Sequence, residues 1–168
     1  MELLLSYHRN HFFPARREIA GILRALGDPS PAVTRTGVMG MAVVSTSLDN
    51  REVVRKCKSL FATEDGFQHA IKLVPIDFWC ETDLDAMKKV IEENVRGLIG
   101  EGETWAMKVE KRRWQKYHTI EIIRYLAESI SQKVNLRNPD KLVRIDIVGR
   151  KTAVSVLKPG EIFSVGLP

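Results

Sequence analysis

Residues 104–119, TWAMKVEKRRWQKYHT, decide how the second half of the chain folds. Trp105, Met107 and Val109 alternate with small or polar residues, which predicts a β-strand over residues 104–110. Helical and alternating apolar patterns on either side of this strand predict a mixed α/β domain. The other elements predicted for this half are a linker strand within 76–83, a helix from Thr82 or Asp83 to the glycines at 97–102, a helix from Thr119 to Val134, a turn at 136–140, and strands over 142–148 and 152–157.

The segment between Thr104 and Arg124 is strongly positive. It holds six basic residues against two acidic ones, whereas the net charge of all 168 residues is +5 at pH 7. Because the strand is predicted to end at Glu110, most of these cations are expected on a surface connection that can meet a polyanion. A charge run at a strand exit is also typical of plain solvated surface, and Trp114 within it is more typical of a packing residue than of a base-stacking platform.

The first half of the chain predicts the element order β-α-β-β-α-β. The first helix is expected to stop at Gly27-Asp28-Pro29, and Gly37–Gly40 is expected to close a hairpin. Asp49 begins the second helix as the first residue of a D-x-x-E capping box. This order over residues 1–75 is typical of a ferredoxin-like domain, so the predicted fold is α+β with a boundary near Pro75. The predicted strands are 2–7, 32–36, 41–46 and 70–75.

Several classes of site and location are disfavoured by the sequence. Cys57 and Cys80 form no C-x-x-C motif, so we expect reduced thiols rather than a disulfide or a zinc site. His8 and His11 lack a nearby cysteine to complete a metal site, and no metal or cofactor is predicted. No apolar run is long enough to span a bilayer or to serve as a secretory leader. We therefore expect a cytoplasmic protein without a membrane partner.

The order of motifs in the second half resembles the THUMP domain, an RNA-binding module of tRNA-modifying proteins. The motifs are a strand with K-x-x-x-R-R, a helix, V-x-L-x-N-P-D, and two strands; they lie at Lys108–Arg113, Val134–Asp140 and Val143–Ile147. Further segments look like archaeal stand-alone THUMP proteins, which are related to the eukaryotic accessory protein of tRNA cytidine acetylation. These segments are Leu26-Gly27-Asp28, Gly37–Gly40, Ser47-Leu48-Asp49 and Val74-Pro75-Ile76-Asp77.

The resemblance implies a ferredoxin-like domain at residues 1–75 followed by an α/β THUMP domain at residues 76–168. It also implies binding of tRNA, including the acceptor end, and assistance to a separate tRNA-modifying enzyme, an acetyltransferase. Because no Rossmann-type methyltransferase segment or nucleotide-activating loop is found, a non-catalytic adaptor is expected. The residues predicted to contact RNA are Lys108, Lys111, Arg112, Arg113, Lys116, Arg137, Lys141, Arg150 and Lys151.

Two other classes of function stay open. A small RNA-modifying enzyme would need a polar cleft with converging titratable groups, and Glu101 and Glu103 form only a loop pair with the character of solvated residues. A small-ligand or regulatory module is compatible with a ferredoxin-like domain, since a fold does not fix a function. The Gly37-x-x-Gly40 motif lacks the basic residues of a nucleic-acid clamp, so a plain hairpin is favoured there.

Overall fold

Alternating apolar residues build one β-sheet from the first half of the chain and a second sheet from the other half. The computed structural model describes residues 1–63 and 66–165. Its strands are β1 (Glu2–Tyr7), β2 (Ala32–Arg35), β3 (Met41–Ser45), β4 (Ala70–Ile76), β5 (Phe78–Glu81), β6 (Trp105–Arg112), β7 (Lys141–Val148), β8 (Lys151–Leu157) and β9 (Phe163–Ser164). Its α-helices are α1 (Phe12–Ala25), α2 (Asn50–Thr63), α3 (Leu84–Val90) and α4 (Thr119–Ala127).

The first unit comprises Met1–Ile76 and the segment from Gly160 onward. Its sheet has the strand order β2-β3-β1-β4-β9, with every neighbouring pair antiparallel. The helices α1 and α2 contribute Ile19, Leu23 and Val54 to a core that the strands line with buried leucines and valines. The order β-α-β-β-α-β over β1 to β4 confirms the ferredoxin-like prediction.

Local backbone and side-chain contacts fix the end of α1 and the start of α2. Gly27 has φ +111 after the end of α1, a conformation that favours glycine, and the Asp28 amide donates to the Leu23 carbonyl (2.9 Å). At the start of α2, Asp49 Oδ1 accepts from the Glu52 amide (3.0 Å), as the capping motif predicts. The Glu52 carboxylate accepts from the Arg55 guanidinium on the next turn.

The second unit, Asp77–Pro159, has a four-stranded sheet of order β5-β8-β7-β6. The strands β6 and β7 are parallel and are joined through α4, whereas β8 runs antiparallel to both of its neighbours. Side chains from α3 and α4 pack with the sheet in one core, which includes Met87, Ile122 and Trp105. The α+β class with a second α/β unit is therefore confirmed.

Two helices of this unit are shorter than predicted. The helix expected up to residue 98 is α-helical only to Val90 and continues as a π-helical turn and a 3-10 turn. The helix expected up to Val134 ends at Ala127 because the next segment pairs with the edge of β6 instead. Trp105 donates its backbone N–H to the Lys133 carbonyl (3.1 Å) and its indole N–H to the Gln132 carbonyl (2.8 Å).

The C-terminal segment does not stay with the second unit, in contrast to the predicted range 76–168. The strand β9 pairs with β4, with Phe163 in register with Leu73, and Phe163 is buried in the first core. A two-residue strand is too short to show the alternation of apolar and polar residues that predicts a strand. The burial of Phe163 in the first core therefore determines which sheet this segment joins. Within the described residues, no helix is both long and apolar enough to cross a membrane.

Candidate nucleic-acid interface

The parallel pairing of β6 with β7 brings two loops together at one end of the sheet. Arg112 is in register with Val148, and the Gly149 amide donates to the Arg112 carbonyl (2.9 Å). The turn between β7 and β8 therefore lies beside the chain that leaves β6. In sheets with parallel strands, the carboxyl ends of the strands are where ligands commonly bind.

Three exposed cations follow directly from these strand ends: Arg113, Lys116 and Arg150. We call these three residues the basic end. None of them has an ion pair or a side-chain hydrogen bond to another residue in the described part of the chain. The Lys116 ammonium lies 5.6 Å from the ring centroid of Tyr117, a contact that leaves it accessible to an anion. Of the predicted RNA contacts, these are the ones that the structure brings together and leaves available.

Trp114 and Tyr117 lie in the same loop as two of these cations. Their ring centroids are 5.5 Å apart in an edge-to-face arrangement, and both side chains are half-buried against the core of the second unit. This confirms that Trp114 packs against the domain. Its packing fixes the loop that presents Arg113 and Lys116.

The ammonium of Lys111, another predicted RNA contact, is bonded within its own loop. The strand β6 extends two residues further than expected, so Lys111 and Arg112 are neighbouring strand residues on opposite faces of the sheet. The Lys111 ammonium donates to the Tyr117 carbonyl (2.7 Å). It therefore closes the loop from within and does not extend the basic end.

Arg112 is held in a buried network with Asp146 and Arg144. Its Nη1 donates to Asp146 Oδ1 (3.1 Å), and Arg144 Nε donates to Asp146 Oδ2 (2.8 Å). The Asp146 side chain is only 2% exposed. Two guanidinium groups share one carboxylate, so Arg112 serves first as a link between β6 and β7. The signal in the sequence was Arg144-x-Asp146, charged residues at one side of an otherwise apolar strand.

Lys108 and Lys151 form ion pairs at the surface. The Lys108 ammonium lies 3.5 Å from Glu110 Oε1, and Lys151 donates to the Glu81 carboxylate on the neighbouring strand β5. Both pairs are exposed, so each contributes little stability and can open when a polyanion competes. Lys151 adjoins Arg150 of the basic end, and Lys108 lies on β6. Each would have to leave its carboxylate partner before it could bind a phosphate.

Arg137 and Lys141 lie at the other end of the sheet. Seven residue steps separate Lys141 from Val148 along β7, which at 3.3 Å per residue is about 23 Å. Lys141 donates to Glu103 Oε1 (3.0 Å) and to the Leu98 carbonyl (2.9 Å). The Gly100 amide and Lys141 together lower the pKa of Glu103. The structure therefore does not unite these two residues with the basic end.

Groups that an enzyme could use are held in other roles. Burial raises the pKa of the Cys57 thiol to about 12 and that of Cys80 to about 11, which removes their reactive thiolate form near neutral pH. Both cysteines are free. No group of three or more His, Cys, Asp or Glu side chains that could hold a metal occurs within residues 1–63 and 66–165.

A polar groove of about 630 Å³ runs between the π-helical turn and the chain after α4. Its acidic side chains have partners: Glu92 accepts from the Ser129 hydroxyl (3.1 Å), and Glu128 lies 3.7 Å from the Lys88 ammonium. The groove therefore offers balanced charge rather than a converging set of titratable groups. The remaining lining residues are Arg96, Ser131 and Gln132.

Residues 81–157 match the family model of the THUMP domain. THUMP is an RNA-binding domain. An uncharacterized protein of Methanocaldococcus jannaschii, MJ0421, is 32% identical over 96 residues, which are 55% of this chain and 26% of that protein.

Solved structures share the fold over nearly the whole chain. PH1313 from Pyrococcus horikoshii matches 94% of the chain with a TM-score of 0.62 and 14% sequence identity. TrmN from Thermus thermophilus matches 95% of the chain with a TM-score of 0.59 and 15% sequence identity. A 4-thiouridine synthetase in complex with RNA and ATP matches 97% of the chain with a TM-score of 0.54 and 14% sequence identity. The chain spans 54%, 47% and 41% of these three chains, and about a quarter of the archaeal relative.

Proposed function

We propose that this protein is a non-catalytic adaptor that binds tRNA and presents it to a separate modification enzyme. The observation that carries the proposal is the basic end of a THUMP domain, where Arg113, Lys116 and Arg150 are exposed and uncommitted. Cations without internal partners can bind phosphate without first breaking an ion pair. The basic end is therefore the proposed seat for the RNA backbone.

The chemistry of these side chains suits phosphate. The guanidinium groups of Arg113 and Arg150 can each bond two phosphate oxygens in a planar fork, whereas Lys116 acts as a point charge. Each phosphate that is neutralised releases condensed counterions, so binding should weaken steeply as salt rises. The half-exposed rings of Trp114 and Tyr117 lie beside these cations, where an unpaired base could contact their edges.

Two resemblances make tRNA the proposed ligand. One structure with the same fold is that of a 4-thiouridine synthetase in complex with RNA. The motifs of the first half and of the THUMP domain also look like archaeal stand-alone THUMP proteins, which are related to the eukaryotic accessory protein of tRNA cytidine acetylation. The proposed partner enzyme is accordingly an RNA cytidine acetyltransferase, and the acceptor end of tRNA is the proposed contact.

The proposal of a non-catalytic role rests on the state of the available nucleophiles and acids. The thiols of Cys57 and Cys80 are held protonated near neutral pH, and the acids of the polar groove already have partners. A small RNA-modifying enzyme is the alternative. Such an enzyme would have to use catalytic groups other than these two thiols and the acids of the polar groove.

A reconstituted reaction tests the adaptor role. Purified RNA cytidine acetyltransferase, tRNA and acetyl donor are combined with and without this protein, and acetylated cytidine is measured by nucleoside mass spectrometry. We expect the rate to rise when the protein is added. A parallel incubation of tRNA with this protein and common cofactors, without the acetyltransferase, should produce no new nucleoside. A modified nucleoside in that second reaction would replace the adaptor with an enzyme.

A further inference from the structure

We propose that the far end of the THUMP domain, opposite the basic end, docks the partner enzyme through an acidic segment with aliphatic side chains. We call this region the Leu136 surface and define it by Leu98, Val134, Leu136, Lys133 and Arg137. The inference rests on the proposed function, because it assigns a surface to the enzyme that the adaptor serves. It gives the two ends of one sheet different partners.

Three chain segments meet at the start of β6 to form the Leu136 surface. Trp105 donates its amide to the Lys133 carbonyl (3.1 Å) and accepts at its own carbonyl from the Asn135 amide (2.9 Å). The Lys141 ammonium reaches across to the Leu98 carbonyl (2.9 Å). The segments that carry Leu98, Val134 and Leu136 are therefore neighbours.

The aliphatic side chains of this surface are unusually open to solvent. Leu136 is 80% exposed, Val134 49% and Leu98 47%. The backbone of the loop is held by Asn135 Oδ1, which accepts from the amides of Arg137 (3.1 Å) and Asn138 (3.0 Å). A fixed loop that keeps a leucine in water provides a preformed anchor for a partner.

Unpaired cations adjoin two of these aliphatic residues in the chain. Lys133 and Arg137 are exposed and have no side-chain partner in the parts of the chain that the structure describes. Of the neighbouring acids, Glu103 is paired with Lys141, whereas Asp140, whose Oδ2 accepts from the Thr104 amide (2.7 Å), and Glu101 in the adjoining turn are exposed. The two cations next to Val134 and Leu136 in the chain complement a partner that places negative charge beside its apolar side chains.

The aliphatic character of the surface favours a protein over RNA. Bases are held by stacking on aromatic rings, and the one aromatic residue of this region, Trp105, is 2% exposed. The half-exposed Trp114 and Tyr117 lie at the basic end instead. Protein interfaces, in contrast, are centred on buried apolar anchors with a polar rim.

The test measures two affinities of the double variant Lys133→Glu, Leu136→Asp. Biolayer interferometry with purified RNA cytidine acetyltransferase gives the first, and fluorescence anisotropy with labelled tRNA gives the second. We expect enzyme binding to weaken at least tenfold, with tRNA binding within about twofold of wild type and Tm unchanged. The matched control is Ile120→Asp, Arg124→Glu, which changes an exposed aliphatic residue and an exposed cation one turn apart on α4, and it should bind the enzyme normally.

Three results would overturn the inference: enzyme binding equal to wild type in the double variant, a wild-type protein that does not bind the purified enzyme, or a loss of tRNA binding in the double variant. The third would make the surface an RNA contact. None of these reports on the basic end, whose role in tRNA binding is judged from the variant Arg113→Glu, Arg150→Glu. Failure of the docking surface and failure of tRNA binding at the basic end are therefore separable.

Discussion

Arg113 adopts a backbone conformation that is costly for any residue with a side chain. Its φ is +58, in the left-handed region where a non-glycine residue is less stable by about 1 kcal/mol or more. We predict that Arg113→Gly keeps or raises Tm, because glycine removes this strain, while tRNA affinity falls because the guanidinium is gone. Thermal unfolding and fluorescence anisotropy measure the two effects. A lower Tm would show that the side chain stabilises the fold.

The two thiols should be slow to react in the folded protein. Since burial raises the pKa of Cys57 to about 12 and that of Cys80 to about 11, almost no thiolate is present at pH 8. We predict that iodoacetamide labels neither cysteine in an hour at pH 8, whereas both are labelled in 6 M guanidinium, as read by intact mass. Rapid labelling of Cys57 in the native protein would contradict the burial of its side chain.

Individual residues also show where sequence reasoning reaches its limit. The cations at Arg113, Lys116 and Arg150 could be predicted as exposed from their place in loops. The partner of Arg112 could not, because Asp146 is 34 residues away and is brought close only by the pairing of β6 with β7. The sequence shows that Arg112 is charged, but it does not show which carboxylate the fold brings next to it.

At the scale of elements, the carboxylate of Asp146 ties two parallel strands together. Asp146→Asn leaves the guanidinium groups of Arg144 and Arg112 without their counterion, and removal of one partner of a buried ion pair typically costs about 3–5 kcal/mol. We predict a decrease of that order in the free energy of unfolding in urea. The control Glu110→Gln, in an exposed pair with Lys108, should change it by less than about 1 kcal/mol. Equal effects would refute the network.

Asp28 ties the end of α1 to the end of β3. The hydrogen bond from the Thr46 hydroxyl (2.6 Å), followed by that from the Ser30 amide, lowers the pKa of Asp28 below its ordinary 3.8. A lowered pKa stabilises the fold above the unfolded value and loses that effect as pH falls through the folded value. We predict that Asp28→Asn is less stable than wild type at pH 7 and that the difference shrinks below about pH 4. A difference independent of pH would contradict the ionised role.

Helix and strand order could be predicted from periodicity, but the ends of elements were set by partners distant in sequence. The helix α4 stops at Ala127 because the chain that follows it forms backbone hydrogen bonds with Trp105 through Lys133 and Asn135. The strand β6 continues to Arg112 because β7 pairs with it over its full length. The strand β9 forms because the first core accommodates Phe163. Each is a tertiary contact that outweighs local preference.

At the scale of the whole molecule, the two ends of the second sheet differ in their chemistry. The basic end carries free cations beside aromatic rings, whereas the Leu136 surface carries aliphatic side chains beside free cations. The two ends are separated by the length of β7, about 23 Å. An adaptor needs two such surfaces, because it must hold tRNA and its enzyme at the same time. The match to the THUMP domain could be predicted from the order of motifs, but this separation could not, since the sequence does not show that Arg113 and Arg137 lie at opposite ends of one sheet.

The binding of tRNA by the variant Arg113→Glu, Arg150→Glu tests the central claim most directly. Fluorescence anisotropy is measured over a range of salt, with Lys56→Glu, Lys89→Glu as a control that makes the same change in net charge on exposed helical lysines. We predict that the affinity of the first variant falls about 100-fold or more, that its salt slope decreases by about 0.7 for each phosphate it no longer neutralises, and that Tm is unchanged. The control should stay near wild type. Equal binding and an equal salt slope in the two variants would contradict the claim that the basic end seats the RNA.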